Sequence, residues 1–226
     1  MSKNKLWIIW DGSNLLWSGD GKEYLRGVGT KYLIHPAFEE GYQKIIREYK
    51  PQKHYKLLLI LPCSYGKPYS QSYIHYFILK ALRETSYYDE IHQLIVTNAG
   101  VVPRELNEYY PYVAYDWNPK YETQEIKEEY VEVLRRRLKG YIVKFREYYK
   151  KIACYLRWNS DSYKAVRIVA NELGIDIPNL APKHVPESEL LEVSLNGLYE
   201  DEDLLLITPT ALSKLKEGIT RLLSEA

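Results

Sequence analysis

One continuous apolar run, residues 56–61 (KLLLIL), restricts the possible folds of this chain more than any other segment. The run has no polar residue after Lys56, and Pro62 ends it, because proline lacks the N–H that a strand donates to its neighbour. A strand of this composition is typical of the centre of a parallel sheet, where helices cover both faces. We therefore predict that residues 56–61 form a central strand that is buried on both faces.

Further elements are indicated by the spacing of apolar residues. Short apolar runs predict strands over residues 92–97, 112–115, 152–156 and 204–207. Apolar residues that recur every three or four positions predict helices over residues 36–49, 71–84, 122–150, 160–173 and 209–223. Strands that alternate with helices favour an α/β fold, a three-layer sandwich with a mostly parallel central sheet.

The N-terminal segment has a different pattern. Residues 5–34 contain short apolar or aromatic runs separated by Asp-Gly and Gly-rich turns, which predicts a small β meander. We therefore divide the chain into an N-terminal appendage, residues 1–34, and an α/β core domain, residues 35–226.

Composition excludes several classes of protein. Hydrophobic residues make up 46% of the chain and charged residues 27%, which is the balance of an ordinary globular protein. No apolar run approaches the roughly 18 to 20 residues of a membrane span, and none near the start is long enough for a secretory signal, so we expect a cytoplasmic protein. With 31 basic and 30 acidic residues, the chain lacks the basic excess of a protein that grips RNA alone. Abundant Lys and Glu with a single Met favour a thermophilic source.

Chemically versatile side chains gather in residues 62–75 (PCSYGKPYSQSYIH), between the predicted buried strand and the next helix. This segment contains a thiol, several hydroxyls, an amine and an imidazole. Residues 97–106 (TNAGVVPREL) and 115–117 (YDW) follow two other predicted strands. Ligands of open α/β sheets bind beyond the carboxyl ends of the strands, so we predict that these three segments form one site.

At these positions the chain resembles the archaeosine synthase family, whose core carries the signature P-C-S-x-x-K-P-Y-x-x-S-x-S-H. Every fixed position is met except one, where Ile74 replaces the last serine. Residues 100–106 match the family's G-V-V-P-R-E-L, and Tyr115-Asp116 match its Y-D. The loop before Gly100 is one residue shorter than in the family, and the family's V-T-G run is absent after the Y-D pair.

The resemblance implies an archaeal tRNA-modifying enzyme, or its catalytic subunit, with residues 35–226 as the catalytic core domain. Its reaction would add the side-chain amine of free lysine to the nitrile of 7-cyano-7-deazaguanine in tRNA, without ATP, a metal or another cofactor. Family members also carry a transglycosylase-like domain and a PUA RNA-binding domain. This chain has no room for either, so we expect a separate chain to supply them.

The reaction that the resemblance implies assigns catalytic roles to three residues. A nitrile is attacked only by a neutral amine, and the lysine amine has a solution pKa of about 10.4, so the site needs a base. His75 is the candidate base, or the donor to the developing imine nitrogen. Asp116 is the candidate to hold or deprotonate the incoming ammonium. Cys63 is the candidate nucleophile, whose thiolate would add to the nitrile and give a thioimidate that lysine resolves.

Other motif residues are candidates for substrate binding. They are Ser64, Lys67, Tyr69, Ser72, Arg104 and Glu105. The first four would shape the lysine pocket, with Lys67 paired to the substrate carboxylate. Arg104 and Glu105 would contact the base edge or brace the loops.

Each assignment has a structural alternative. Cys63 could be a small buried residue, and Lys67 or His75 could be a surface residue or a helix cap. Arg104 and Glu105 could be the solvated start of a helix.

Other polar and sulfur-containing residues are interpreted as structural. The three arginines at 135–137 are interpreted as a solvated helix face, or else as a contact to RNA phosphates or a partner subunit. Cys154 lies in an alternating apolar segment and is assigned to the core, and His92 has no evident companion. The two cysteines show no metal-ligand spacing, so we expect neither a disulfide nor a metal site.

Two other functions stay open at the level of the sequence. The first is a non-catalytic subunit that recognises a deazaguanine or tRNA beside a transglycosylase-like chain, which Ile74 and the shortened loop favour. The second is a uracil-DNA-glycosylase-like protein that holds a flipped base, because the loop after the first sheet strand is rich in Pro and Tyr. The acidic and histidine motifs of a glycosylase are not evident.

Overall fold

The computed structural model describes residues 24–224 of the 226-residue chain. Its strands are β1 (Leu25–Arg26), β2 (Tyr55–Leu61), β3 (Ile91–Thr97), β4 (Gly100–Pro103), β5 (Tyr115–Asp116) and β6 (Tyr149–Cys154). Its helices are α1 (Thr30–Leu33), α2 (Pro36–Glu48), α3 (Tyr73–Arg83), α4 (Gln124–Phe145), α5 (Asp161–Leu173), α6 (Glu187–Val193) and α7 (Pro209–Ser224).

Four strands form the central sheet in the order β4, β3, β2, β6. Strand β2 lies parallel to both of its neighbours, with Leu59 opposite Gln93 on β3 and Ala153 on β6. Strand β4 lies antiparallel to β3 at the edge. The predicted central position of residues 56–61 is confirmed, and the sheet is mostly parallel.

Helices cover both faces of this sheet because the side chains of β2 alternate between two cores. Leu58 and Ile60 point into one core, to which α2, α4 and α5 contribute. Leu57, Leu59 and Leu61 point into the other, to which α3 and α7 contribute. All five side chains are fully buried, which explains why the run has no polar position. The predicted three-layer α/β sandwich is confirmed.

Two of the strand predictions, residues 112–115 and 204–207, were wrong in whole or in part. Of residues 112–115, only Tyr115 lies in a strand, β5, and that strand pairs with β1 instead of joining the central sheet. Residues 204–207 lie in a 3-10 helix, Glu202–Ile207, that packs against α3 and α7. Periodicity cannot distinguish a strand from a helical turn in so short an apolar run.

The predicted N-terminal β meander falls largely on residues 1–23, which lie outside the described residues. From residue 24 onward, β1 pairs with β5, and Leu33 of α1 is buried in the core that α2 and α4 share. The division of the chain at residue 34 stays a prediction. Within residues 24–224, no helix combines the length and the apolar composition needed to cross a membrane.

Candidate functional site

A cavity of about 610 Å³ opens at the carboxyl edge of the central sheet. Three of its lining residues follow the ends of parallel strands: Cys63 after β2, Asn98 after β3 and Arg157 after β6. The start of α5 and residues 198–203 contribute further walls. Because ligands of open α/β sheets bind at this edge, the cavity is the candidate functional site.

Cys63 faces this cavity beside two buried tyrosine hydroxyls. Its Sγ lies 3.6 Å from Oη of Tyr115 and 4.0 Å from Oη of Tyr69. The two hydroxyls hydrogen-bond each other at 2.7 Å, and both rings are almost completely buried. Burial raises the pKa of both phenols well above the ordinary value, so both keep their protons at neutral pH. The thiol therefore has a chain of two protonated hydroxyls next to it.

Lys67 holds a positive charge over one of these rings. Its Nζ lies 4.1 Å from the ring centroid of Tyr115 and donates a hydrogen bond of 3.3 Å to the carbonyl of Tyr65. Burial lowers the pKa of the amine, while Cys63 and Asp116 act in the opposite direction. The predicted placement of thiol and amine at one cavity is therefore found.

Asp116 does not line the cavity, although the residues on either side of it do. Its carboxylate accepts a hydrogen bond of 2.6 Å from Oη of Tyr24 and pairs with Nε of Arg26 at 3.2 Å. These contacts tie β1 to β5. The charge of Asp116 raises the pKa of Lys67, which does line the cavity.

His75 lies away from the cavity, and both of its ring nitrogens are engaged. Nδ1 accepts a hydrogen bond of 2.7 Å from Arg104, so Nε2 carries the proton and donates to the carbonyl of Pro62 at 2.9 Å. The ring is fully buried, and burial together with the charge of Arg104 lowers its pKa well below the ordinary value. An imidazole in this state has no nitrogen free to take a substrate proton. The assignment of His75 as the base is therefore corrected: it fixes the peptide that precedes Cys63.

Arg104, which directly follows strand β4, braces the same loop and is itself held by Gln93 of strand β3. Its Nε donates to the side chain of Gln93 at 3.0 Å, and its Nη2 donates to His75. Its Nη1 is buried without a hydrogen-bond partner among residues 24–224, and burial lowers the pKa of the guanidinium to about 10. The predicted loop-bracing role fits these contacts, whereas a solvated helix start does not.

Glu105 points into a separate buried network. Its carboxylate accepts hydrogen bonds from the hydroxyl of Tyr49 and from Nε2 of His92, the latter at 3.2 Å. Nδ1 of His92 lies 2.6 Å from Oη of Tyr149. Burial raises the pKa of Glu105, but the bonds from His92 and Tyr49 outweigh it, and the net pKa is lowered. His92 thus has companions that are remote in sequence, and Glu105 does not reach the cavity.

The two motif serines shape the loop. Ser64 lines the cavity, and its hydroxyl donates to the carbonyl of Gly66 at 3.1 Å. Ser72 is buried at the start of α3, where its Oγ accepts a hydrogen bond from the backbone N–H of His75 and donates to the carbonyl of Tyr69. Ser72 is therefore a helix cap and not a wall of the cavity.

Ile74, which stands at the position of the family's serine, lies on the other side of the sheet. Its side chain is 3% exposed and packs in the core that contains Leu57, Leu59 and Leu61. Cys63 packs against the opposite core. The replacement therefore leaves the lining of the cavity unchanged.

The sequence-based prediction did not include the acidic wall of the cavity. Arg157 donates to Asp203 at 2.6 Å and pairs with Glu202 at 2.6 Å. Burial raises the pKa of Asp203 to about 6, although Arg157 lowers it. The other carboxylates in the lining are Glu122, Asp161, Glu200, Asp201 and Glu202. Arg157 follows the end of a parallel strand and could have been identified by that rule, whereas Asp203 carries no local signal.

The three consecutive arginines of α4 are occupied by contacts within the chain. Arg135 pairs with Glu172 at 2.8 Å, and Arg136 pairs with Glu39 at 2.8 Å. Arg137 is fully buried and lies 3.3 Å from Glu39. The interpretation of this run as a solvated face was wrong for Arg137.

Comparison with known proteins agrees with the motif resemblance. Residues 40–196 match the family model described as "Domain of unknown function (DUF5591)". Archaeosine synthase subunit alpha of Thermococcus kodakarensis is 32% identical over 104 residues, which cover 45% of this chain and 17% of that protein. The subunit alpha of Thermoplasma acidophilum is 34% identical over 143 residues, 57% of this chain and 26% of that protein. The one of Methanosarcina acetivorans is 32% identical over 137 residues, 60% of this chain and 20% of that protein.

The fold is also similar to a crystal structure described as that of AF0587, a protein of unknown function. The TM-score is 0.51 at 19% identity, over 79% of this chain and 48% of that chain, and this similarity concerns the fold alone. The chain spans only 17% to 26% of the length of the three archaeosine synthase subunits, but the family model covers well over half of the chain. The chain therefore belongs to the DUF5591 family, and its resemblance to the archaeosine synthases is confirmed.

Proposed function

We propose that this chain is an archaeosine synthase-like tRNA-modifying enzyme, or the catalytic subunit of one. In this proposal it joins the side-chain amine of free lysine to the nitrile of 7-cyano-7-deazaguanine in tRNA. The observation that carries the proposal is that Cys63 faces a cavity of about 610 Å³ with the hydroxyl of Tyr115 at 3.6 Å. A cavity of this volume is in the range of small-ligand sites, roughly 300 to 1,000 Å³. The name of the relatives supplies the reaction class.

Cys63 would form the covalent intermediate. Its sulfur attacks the nitrile carbon, one carbon–nitrogen π bond breaks, and the nitrogen gains a proton to give a thioimidate. The hydroxyl pair of Tyr115 and Tyr69 would relay the thiol proton to that nitrogen. The neutral lysine amine then attacks the same carbon, and the carbon–sulfur bond breaks with its electron pair going to sulfur. The amine nitrogen loses one proton, which would return to the sulfur through the same hydroxyl pair. The product is an amidine, and no further reactant is needed.

The acidic wall suits the second reactant, because free lysine brings two ammonium groups and one carboxylate. Asp203 lines the cavity, and its raised pKa of about 6 lies closer to neutral pH than that of an ordinary carboxyl, as is useful in a general base. We assign to it the deprotonation that the sequence pattern assigned to His75 and Asp116. Four cations line the cavity, Lys67, Lys120, Lys127 and Arg157, and we assign the pairing with the lysine carboxylate to Lys67 and Arg157.

Of the two sequence features that favoured a non-catalytic binding subunit, Ile74 and the shortened loop, the structure removes the first. Ile74 packs away from the cavity, so the missing serine hydroxyl has no bearing on the cavity walls. The shortened loop does contribute to the site, because Asn98 lines the cavity. A binding subunit that needs a separate catalytic chain is therefore the second candidate, and it predicts that Cys63 is dispensable.

The experiment is incubation with tRNA that carries the cyano-deazaguanine and with labelled lysine, with and without candidate transglycosylase-like or PUA-containing partner chains. Incorporation by this chain, or by a mixture, that Cys63→Ala abolishes supports the catalytic proposal. Incorporation by a mixture that Cys63→Ala leaves unchanged supports the binding subunit. Cys154→Ala is the matched control, because Cys154 is fully buried in β6 and does not line the cavity. No incorporation in any mixture contradicts both candidates.

A further inference from the structure

A group of cations and aromatic rings lies at the opposite edge of the sheet, where β2 and β6 begin. We call it the amino-edge surface and define it by Lys53, His54, Arg146, Tyr148 and Lys150. Tyr148 is half-buried, and the other four side chains are exposed. We infer that this surface binds RNA, with its cations on the phosphates and its rings stacked on unpaired bases.

The two rings are held in a stack, in which the exposed ring of His54 lies on the half-buried ring of Tyr148. His54 stacks on Tyr148 with ring centroids 4.9 Å apart and an interplanar angle of 18°. His54 Nδ1 also donates to the carbonyl of Glu147 at 3.1 Å, which fixes the orientation of the exposed imidazole. Aromatic platforms of this kind bind bases through their π faces without requiring a particular sequence.

The cations lie along two adjoining cavities. One, of about 460 Å³, is lined by Lys53, His54, Tyr148 and Lys150, and the other, of about 420 Å³, by Arg146 and Lys150. The two cavities share Tyr149 and Lys150 in their linings, so they are neighbours on this surface. A groove that combines positive charge with stacking rings is the usual arrangement for single-stranded nucleic acid.

These cations are available, unlike those of the arginine run. Among residues 24–224, no carboxylate lies within ion-pair distance of Lys53, Arg146 or Lys150, whereas Arg135 and Arg136 are paired. Four carboxylates line the two cavities, and one of them, Glu90, is neutralised by Lys56 at 2.7 Å. An acidic protein would use the free cations but would give the stacked pair of rings no partner, so we favour RNA.

The charges at the carboxyl edge of the sheet also favour RNA binding at the amino-edge surface. Six carboxylates and four cations (Lys67, Lys120, Lys127 and Arg157) line the cavity that contains Cys63, so its lining has an acidic excess that disfavours phosphates. A polynucleotide that inserts one base into that cavity needs its backbone held elsewhere. The inference rests on the proposed function in this step and in the choice of tRNA as the probe, but the test measures RNA binding and not turnover, so the two can fail separately.

The test measures binding of the full chain to a tRNA transcript and to an unrelated single-stranded RNA. Fluorescence anisotropy at several salt concentrations gives the affinity and its salt dependence. We expect the double charge reversal Lys53→Glu/Lys150→Glu to weaken binding by a factor of about ten or more and to lower the slope of the salt dependence by about two. We expect His54→Ala/Tyr148→Ala to weaken binding by about tenfold with little change of that slope.

The matched control is Lys164→Glu/Arg167→Glu, which makes the same change of charge on two exposed positions of α5. It should change the affinity by less than about twofold if the amino-edge surface is the site. Equal weakening by both charge reversals, or no binding by the wild-type chain, would overturn the inference. If Lys53→Glu/Lys150→Glu fails to fold, Lys53→Gln/Lys150→Gln replaces it, with the same direction expected.

Discussion

The sulfur of Cys63 lies 3.6 Å from the hydroxyl oxygen of Tyr115, although 52 positions separate the two residues in the chain. The loop after β2 supplies the thiol, and strand β5 supplies the hydroxyl. The hydroxyl of Tyr115 in turn hydrogen-bonds that of Tyr69 at 2.7 Å. A thiol that faces a cavity therefore has two hydrogen-bonded hydroxyls behind it, and under the proposed reaction, in which they relay its proton, the reactivity of Cys63 should depend on them.

Removal of the relay hydroxyl should slow the proposed reaction without disturbing the fold. Tyr115→Phe keeps the ring that packs edge-to-face on Phe38 at 5.4 Å. We expect the turnover of lysine incorporation to fall roughly 100-fold, since a positioned proton donor or acceptor contributes about 10² to 10⁴. Tyr112→Phe is the control, because the Tyr112 hydroxyl is buried without a hydrogen-bond partner among the described residues. Its removal should leave turnover unchanged, and an equal loss in both variants would exclude the relay.

The two cysteines should differ sharply in their reaction with alkylating reagents. Cys63 lines the cavity, whereas Cys154 is fully buried in β6, and burial raises the pKa of the Cys154 thiol. We expect iodoacetamide to modify Cys63 alone in the native protein, because the thiolate is the reactive form and access is required. Intact-mass spectrometry followed by peptide mapping checks this. Modification of Cys154 at a similar rate would show that β6 opens readily.

His75 should make stability depend on pH in a defined direction. Its pKa in the folded protein is lowered, by burial first and by Arg104 second, so below about pH 6.5 the unfolded chain takes up a proton that the folded protein does not. The free energy of unfolding should therefore be highest above pH 6.5 and fall below it, by at most about 1.4 kcal/mol per pH unit from this group.

The variant His75→Gln separates this contribution from those of the carboxylates. At pH 7.5 we expect it to be less stable than the wild type by roughly 1 to 3 kcal/mol, because hydrogen bonds to Pro62 and Arg104 are lost or weakened. The gap should narrow as the pH falls from 6.5 to 5.5. Denaturant titrations at pH 7.5, 6.5 and 5.5 measure it, and a gap that stays constant would contradict the neutral, buried imidazole.

The buried Arg137 should matter less for stability than its partner Glu39. Glu39→Ala leaves a fully buried guanidinium without its carboxylate, and we expect a loss of about 3 kcal/mol. Arg137→Met fills the same space without a charge and should cost far less. The double variant should resemble Arg137→Met. Denaturant titration of the wild type and the three variants gives a double-mutant cycle. If the loss of unfolding free energy in the double variant equals the sum of the two single losses, the two side chains do not interact.

Much of the fold could be predicted because local pattern and burial agree. Residues 57–61 are apolar at every position because each face of β2 meets a separate core. The 3-10 helix at Glu202–Ile207 could not be predicted, since its apolar run is short and its conformation is set by packing against α3 and α7. Tyr115 was placed in a strand correctly, but its pairing with Leu25 is a contact between remote segments.

The candidate site could be predicted only in part, for a similar reason. The motif at residues 62–75 brings Cys63, Ser64 and Lys67 to one cavity, as expected for a loop at the carboxyl edge of a strand. It does not reveal that His75 is held between Pro62 and Arg104, because the position of Arg104 depends on strand pairing.

The covalent role of Cys63 can be tested by mass spectrometry of the protein after incubation with cyano-deazaguanine tRNA in the absence of lysine, with its partner chain where one is required. Acid would stop the reaction, and nuclease digestion would remove the rest of the tRNA, so that only a base covalently bonded to the protein stays attached. We predict an adduct on Cys63 that is absent from Cys63→Ser and disappears as product forms when lysine is added. Full turnover by Cys63→Ser, with no adduct on the wild-type protein, would contradict the account.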